Sequence, residues 1–141
     1  MSDDLLVGTW RLVSFDVRDE EGRVTHPLGR DVVGFITYAP DGHMAVQFGR
    51  ADRAYLAVGD WAGATPAEIA TAARDYFAYC GTYELRDGEV VHRVELSLMP
   101  NWIGGELVRL VAFDGEQLTL STPPTLVGGQ QQIATLVWER T

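Results

Sequence analysis

The sequence predicts a mainly β protein, an eight-stranded antiparallel barrel formed by a single domain over residues 1–141. Three observations predict it: strand-like runs recur at hairpin spacing, short turn signals separate them, and one amphipathic segment interrupts their order. A chain of 141 residues with 46% hydrophobic and 22% charged residues also fits one soluble globular domain.

The predicted strands are separated by residues that favour tight reversals. Pro40-Asp41-Gly42 and Asp87-Gly88 are the clearest of these turn signals. The eight strands are expected at residues 10–18, 32–38, 43–48, 79–86, 89–98, 107–113, 117–122 and 133–140. Consecutive strands joined by short turns are typical of an antiparallel barrel.

One helix is expected at about residues 66–78, between the third and fourth predicted strands. Thr65-Pro66-Ala67-Glu68 has the pattern of a capping box with proline at the first helical position. Apolar residues then recur at helical spacing, at Ile69, Ala72, Ala73, Tyr76 and Phe77. This stripe is expected to lie against the barrel, across one mouth.

The turn at Asp87-Gly88 assigns side chains of two strands to the two faces of the sheet. A two-residue turn pairs Tyr83 with His92, and continuing the count pairs Cys80 with Glu95 and Tyr79 with Leu96. Directly opposed residues share a face, so the interior should receive Tyr79, Gly81, Tyr83, Leu85, Val90, His92, Val94, Leu96 and Leu98. Charged residues fall on the other face, which argues against a one-residue slip.

The predicted interior therefore contains polar groups. His92 is either a neutral, hydrogen-bonded core residue beside Tyr83 or a group for proton transfer or ligand recognition. The next hairpin places Arg109 on an apolar face with Leu107 and Val111. A buried guanidinium requires a partner, so Arg109 either packs on Trp10 or closes a barrel end, or it anchors an anionic ligand.

The connection Met99-Pro100-Asn101-Trp102 places an aromatic residue at a barrel rim, where it either plugs the mouth or stacks on a ligand. The candidate ligand-binding residues are thus Tyr79, Tyr83, His92, Arg109 and Trp102, and the candidate catalytic residues are His92 and Tyr83.

Composition and motifs limit the possible partners. The net charge of −9 argues against nucleic acid and anionic membrane surfaces. Neither the spacing of the three histidines nor the single Cys80 forms a metal motif, and the sequence has no nucleotide-binding glycine motif, so neither metal nor cofactor is expected. The acidic N-terminus Met1-Ser2-Asp3-Asp4 resembles no signal peptide, and no apolar run is long enough to span a membrane. We expect a cytoplasmic monomer or small homo-oligomer, and the eleven arginines without a single lysine indicate a bacterial source.

Several segments together resemble the bacterial and fungal lipocalin-like domain family over essentially the whole chain. They are Leu6-Val7-Gly8-Thr9-Trp10, Tyr38-Ala39-Pro40-Asp41-Gly42, residues 76–83, Val91-His92-Arg93-Val94-Glu95, Pro100-Asn101-Trp102 and residues 118–122. The resemblance implies a calycin-type barrel with one helix. It also implies that Gly8-Thr9-Trp10 and Trp138-Glu139-Arg140 close the barrel, with an arginine lying across Trp10. Arg140 is favoured for this position, and Arg109 is the alternative.

Three functions fit these features. The leading hypothesis is binding of a small, largely apolar metabolite inside the barrel. The first alternative is a cofactor-free isomerase or cyclase that acts on a hydrophobic natural-product intermediate, as the resemblance suggests. The second is a barrel filled by its own side chains, with a structural or interaction role.

Overall fold

The computed structural model describes residues 3–141. Met1 and Ser2 lie outside the described residues. The expectation that the N-terminus is not a signal peptide falls partly on these two residues. The elements are α1 (Asp3–Leu6), β1 (Gly8–Asp19), β2 (Val24–Thr25), β3 (Val32–Tyr38), β4 (His43–Arg50), α2 (Pro66–Arg74), β5 (Tyr76–Arg86), β6 (Glu89–Ser97), β7 (Glu106–Asp114), β8 (Gln117–Ser121), β9 (Thr125–Val127) and β10 (Gln130–Arg140). Short 3₁₀ turns lie at Trp61–Gly63 and Pro100–Trp102.

The eight long strands form a closed antiparallel barrel. They hydrogen-bond in the order β1, β3, β4, β5, β6, β7, β8, β10, and β10 pairs back with β1. The predicted mainly β, eight-stranded architecture is confirmed. The short strands β2 and β9 extend the sheet beside β1 and β10 and are additional to the prediction.

The barrel closes where the family resemblance implied. Trp10 of β1 pairs with Arg140 of β10, and the Arg140 guanidinium carbon lies 4.1 Å from the centre of the Trp10 ring system. The same guanidinium donates hydrogen bonds to the carbonyls of Val7 and Leu5. The Nε1–H of Trp10 donates to the carbonyl of Leu6 at 2.9 Å, which fixes α1 against this end. Arg140 therefore ties the chain start to the last strand.

The helix is shorter than predicted. Its capping box is present, because Thr65 accepts from the Glu68 N–H and the Glu68 carboxylate accepts from the Thr65 N–H. The helix ends at Arg74, and Tyr76 and Phe77 belong to β5, where they pair with Gly49 and Phe48 of β4. The extension to residue 78 was wrong because aromatic residues also fit a strand, and the sheet hydrogen bonds of β4 outweigh one further helical turn.

A β-bulge changes the predicted register of the hairpin formed by β5 and β6. The predicted pairs are confirmed from the turn down to Gly81 with Val94, after which Cys80 pairs with Leu96 and Tyr79 with Ser97. The predicted pairs of Cys80 with Glu95 and Tyr79 with Leu96 are wrong, because Glu95 is the extra residue of the bulge. Leu96 and Leu98, which we expected inside, are 64% and 41% exposed.

The buried core lies towards the end of the barrel that carries α1 and the Trp10–Arg140 contact. It includes Leu6, Trp10, Tyr38, Val90, Leu118 and Trp138. Within the described part of the chain, no helix is long and apolar enough to cross a membrane.

Candidate ligand-binding cavity

The barrel encloses a cavity of about 710 Å³. Residues of its lining that are exposed to solvent lie around one end of the barrel, at Pro27, Arg74, Glu106, Thr125 and Val127. The cavity therefore opens among the β2–β3 loop, α2, the start of β7 and the β9–β10 hairpin. Its deep part is lined by Ile36, Val46, Tyr79, His92, Leu120 and Trp138. The volume is in the range of cavities that hold drug-sized molecules.

Aromatic side chains form one wall of this cavity. Phe48 and Phe77 are stacked with their ring centres 5.7 Å apart. Trp102 lies 4.9 Å from Phe77 and 5.9 Å from Tyr79, also between ring centres. The 3₁₀ turn at Pro100–Trp102 thus turns the indole inward from the rim. Such a wall offers flat apolar surface against which a planar ring can pack.

A hydrogen-bonded cluster of Tyr38, His92 and Tyr79 lies deep in the barrel. The Tyr38 hydroxyl is 2.6 Å from His92 Nε2, and the Tyr79 hydroxyl is 2.7 Å from His92 Nδ1. These side chains come from β3, β6 and β5, and His92 is 1% exposed. Burial, followed by the charge of Arg109, lowers the pKa of His92 from its ordinary 6.5 to about 3. Burial raises the pKa of both tyrosines. All three groups are therefore uncharged at neutral pH.

The hydrogen-bond directions in this cluster follow from its burial. Neutral imidazole has one donor and one acceptor nitrogen. Tyr38 is 0% exposed and does not line the cavity, so its hydroxyl proton has to find an acceptor inside the protein. The Tyr38 hydroxyl therefore donates to His92 Nε2. The Nδ1–H of His92 then donates to the Tyr79 oxygen. The Tyr79 hydroxyl proton remains, and Tyr79 lines the cavity. This arrangement gives the cavity a hydrogen-bond donor at its deep end.

Arg109 brings a positive charge to the same cavity. It lies on β7, lines the cavity and donates to the carbonyl of its neighbour Val108 at 3.0 Å. Its positive charge also opposes the effect of burial on the pKa of Tyr79. Among the described residues, no carboxylate lies within ion-pair distance of Arg109. Glu106 lines the cavity too, but its carboxylate binds Arg93 at 3.0 Å.

Four of the five candidate ligand-binding residues line one cavity. They are Tyr79, His92, Trp102 and Arg109. Tyr83 lies outside the lining, where its hydroxyl donates to the Ala39 carbonyl at 2.9 Å and its ring packs edge-on against Tyr38 at 4.8 Å. The sequence left open whether Arg109 or Arg140 packs on Trp10 and favoured Arg140; in the structure Arg140 lies over that ring, and Arg109 lines the cavity.

Comparisons of sequence and structure relate this chain to known proteins. The sequence model of the lipocalin-like domain matches residues 7–141. The chain belongs to the lipocalin-like domain family. The 4'-hydroxy-3'-methoxypropiophenone carrier protein of Aspergillus oryzae is 38% identical over 85 residues, which cover 54% of this chain and 77% of that protein. A crystal structure of a lipocalin-like protein from Bacteroides uniformis has a TM-score of 0.49 at 13% identity, covering 96% of this chain and 98% of that one.

Sequence reasoning missed Tyr38 and Phe48 in this lipocalin-like site. The segment 32–38 is apolar on both faces, so its alternation did not show which side chains point inward. The neighbouring β4 carried the signal, because Met44 and Val46 alternate with Ala45 and Gln47 there. Tyr38 pairs with Met44 and so shares its inward face.

Proposed function

We propose that this protein binds and carries a small, largely apolar aromatic molecule in the barrel cavity. The observation that carries the proposal is an open cavity of about 710 Å³ with an aromatic wall and a donor hydroxyl, Tyr79, at its deep end. The apolar body of the ligand would pack against Phe77 and Trp102. One acceptor oxygen would meet Tyr79 and Arg109.

The named relative supports an aryl ketone as the ligand class. The compound in its name combines an aromatic ring with one carbonyl and two oxygen substituents on the ring, a hydroxyl and a methoxy group. The donors of the cavity suit such oxygens, and the aromatic wall suits the ring. We therefore take 4'-hydroxy-3'-methoxypropiophenone as the probe for this protein.

The cluster suits binding better than proton transfer. An imidazole whose conjugate acid has a pKa of about 3 is a weak base at neutral pH. Burial likewise makes the Tyr79 hydroxyl a weaker acid than a free phenol. These directions favour a carrier over the isomerase or cyclase alternative, and the cavity volume disfavours a barrel filled by its own side chains. The cytoplasmic location, the bacterial source and the monomeric or small oligomeric state stay predictions of the sequence.

Removal of the Tyr79 hydroxyl tests the proposal. The variant Tyr79→Phe should bind the probe about three- to tenfold more weakly, because one net hydrogen bond contributes about 0.5–1.5 kcal/mol. Isothermal calorimetry measures the dissociation constant, and urea unfolding checks that the variant is folded. The matched control is Tyr55→Phe, since Tyr55 is fully exposed and lies outside the cavity. Equal affinities for the wild type and Tyr79→Phe would contradict the proposed site.

A further inference from the structure

We propose that the cavity takes its ligand as an organic anion: a weakly acidic aromatic phenol that loses its proton on binding, with the oxyanion held by Arg109 and Tyr79. This inference rests on the proposed function and specifies the charge state of the ligand. In the step the phenol O–H bond breaks, the oxygen keeps the electron pair and the proton goes to bulk solvent.

The charges around the cavity support an anion. The charged groups in its lining are Arg74 and Arg109, both positive, and Glu106, whose carboxylate is engaged by Arg93. The protein as a whole carries −9. An acidic protein therefore surrounds a cavity whose formal charge is positive, a combination that favours an anionic guest inside the barrel.

Arg109 itself lacks a compensating charge. Arg109 is half-buried, and within the described residues no carboxylate pairs with its guanidinium. The titratable groups that face it are Tyr79 from β5, Tyr38 from β3 and His92 from β6. All three are neutral, and none can balance the guanidinium. A partly desolvated cation of this kind is stabilised by an anion at hydrogen-bonding distance.

Tyr79 and Arg109 offer donors in the same part of the cavity. The Tyr79 oxygen accepts from the Nδ1–H of His92, so its own proton is left to donate into the cavity. The charge of Arg109 opposes the effect of burial on the pKa of Tyr79, and both side chains line the cavity, so the guanidinium lies near the Tyr79 hydroxyl. Charge-assisted hydrogen bonds to an oxyanion are stronger than those to a neutral phenol. His92 does not take the ligand's proton, because burial and the Arg109 charge oppose a second cation there.

The experiment uses two probes that differ in their acidity. One is 4'-hydroxy-3'-methoxypropiophenone, whose phenolate absorbs at longer wavelength than its phenol because the anion is conjugated with the ketone. The other is its 4'-methyl ether, which has the same ring and ketone and cannot ionise. Absorbance titration at several pH values gives the pKa of the bound phenol, and calorimetry in two buffers of different ionisation enthalpy gives the number of protons released.

We expect wild-type protein to lower the pKa of the bound phenol by about two units, a hundredfold effect worth about 2.7 kcal/mol. At a pH midway between the pKa values of the free and the bound phenol, binding should produce the phenolate band while the free probe is mostly neutral, and should release most of one proton. At that pH the phenol should bind about tenfold more tightly than the ether. In Arg109→Met the phenolate band and this preference should disappear, whereas Arg109→Lys should keep part of both. The control Arg18→Met changes an exposed arginine outside the cavity.

The outcomes separate the inference from the proposed function. If wild-type protein binds phenol and ether equally well, with the spectrum of the neutral phenol and no proton release, the inference is wrong and the carrier function stands. If neither compound binds, both are wrong. If Arg109→Met does not fold, the spectrum and proton count of the wild-type complex still decide the charge state of the ligand.

Discussion

At the scale of single residues, His92 couples the interior of the barrel to pH. Its folded pKa of about 3 lies below the ordinary 6.5, so below pH 6.5 the unfolded chain binds a proton that the folded protein does not. As far as His92 determines it, the free energy of unfolding should therefore be highest above pH 6.5. Below that pH it should fall by about 1.4 kcal/mol per pH unit down to about pH 3. The two hydrogen bonds to Tyr38 and Tyr79 hold the neutral form in place.

We predict that the free energy of unfolding falls by about 1 kcal/mol between pH 7 and pH 5.5 because of His92. Urea unfolding at the two pH values measures this change, and the window lies above the range in which carboxylates such as Asp19 and Glu68 titrate. The variant His92→Gln should lose most of the slope, whereas His43→Gln, which changes an exposed histidine, should keep it. Equal slopes in His92→Gln and the wild type would show that another group is responsible.

How much of the site could be predicted depends on how clearly polar and apolar residues alternate along each strand. His92 and Arg109 were placed inside because charged and apolar residues alternate clearly around them. Tyr38 was missed because its strand is apolar on both faces. The partners of His92 come from β3 and β5, and only the closed barrel brings Tyr38 next to it from 54 positions away. Such a long-range contact leaves no local pattern in one sequence.

At the scale of elements, the bulge in β5 and β6 shows the limit of register counting. Gly81 looks like an ordinary interior position, yet its backbone lies so close to Arg93 that an added Cβ would be 1.8 Å from the Arg93 carbonyl oxygen. The extra residue Glu95 turns Leu96 to the outside, and a hairpin count cannot foresee it. The end of α2 was missed for a similar reason, since Tyr76 and Phe77 satisfy both a helical stripe and a strand.

Gly81→Ala should therefore destabilise the barrel by more than about 3 kcal/mol or prevent folding, because backbone atoms of β6 would have to move. Chemical unfolding monitored by circular dichroism measures the loss, and recovery of soluble protein reports failure to fold. The matched change Gly59→Ala should alter stability by less than about 1 kcal/mol, since no atom lies within 4 Å of the added Cβ. Similar stability of the two variants would contradict the close approach at the bulge.

At the scale of the whole molecule, the fold separates the part that closes the barrel from the part that holds the cavity. Trp10, Arg140 and α1 seal one end with an aromatic ring, a guanidinium and backbone carbonyls. The other end stays open between α2 and the β9–β10 hairpin. Because the seal and the cavity use different residues, the cavity can be altered while the closure remains intact.

A cavity-filling substitution tests whether the barrel is hollow. Ala134 of β10 lines the cavity, and Ala134→Phe would place a ring in that space. In a hollow barrel, the variant should bind the aryl ketone at least about tenfold more weakly while its free energy of unfolding changes by less than about 1 kcal/mol. Ala112→Phe, on the exposed face of β7, should leave affinity unchanged.

The opposite result has a distinct signature. In a barrel filled by its own side chains, the added ring of Ala134→Phe would overpack the interior and cost about 1–3 kcal/mol of stability. Calorimetric binding and urea unfolding of the same samples distinguish the two cases, because a hollow barrel loses affinity and a filled one loses stability. The cavity of about 710 Å³ leads us to expect the first.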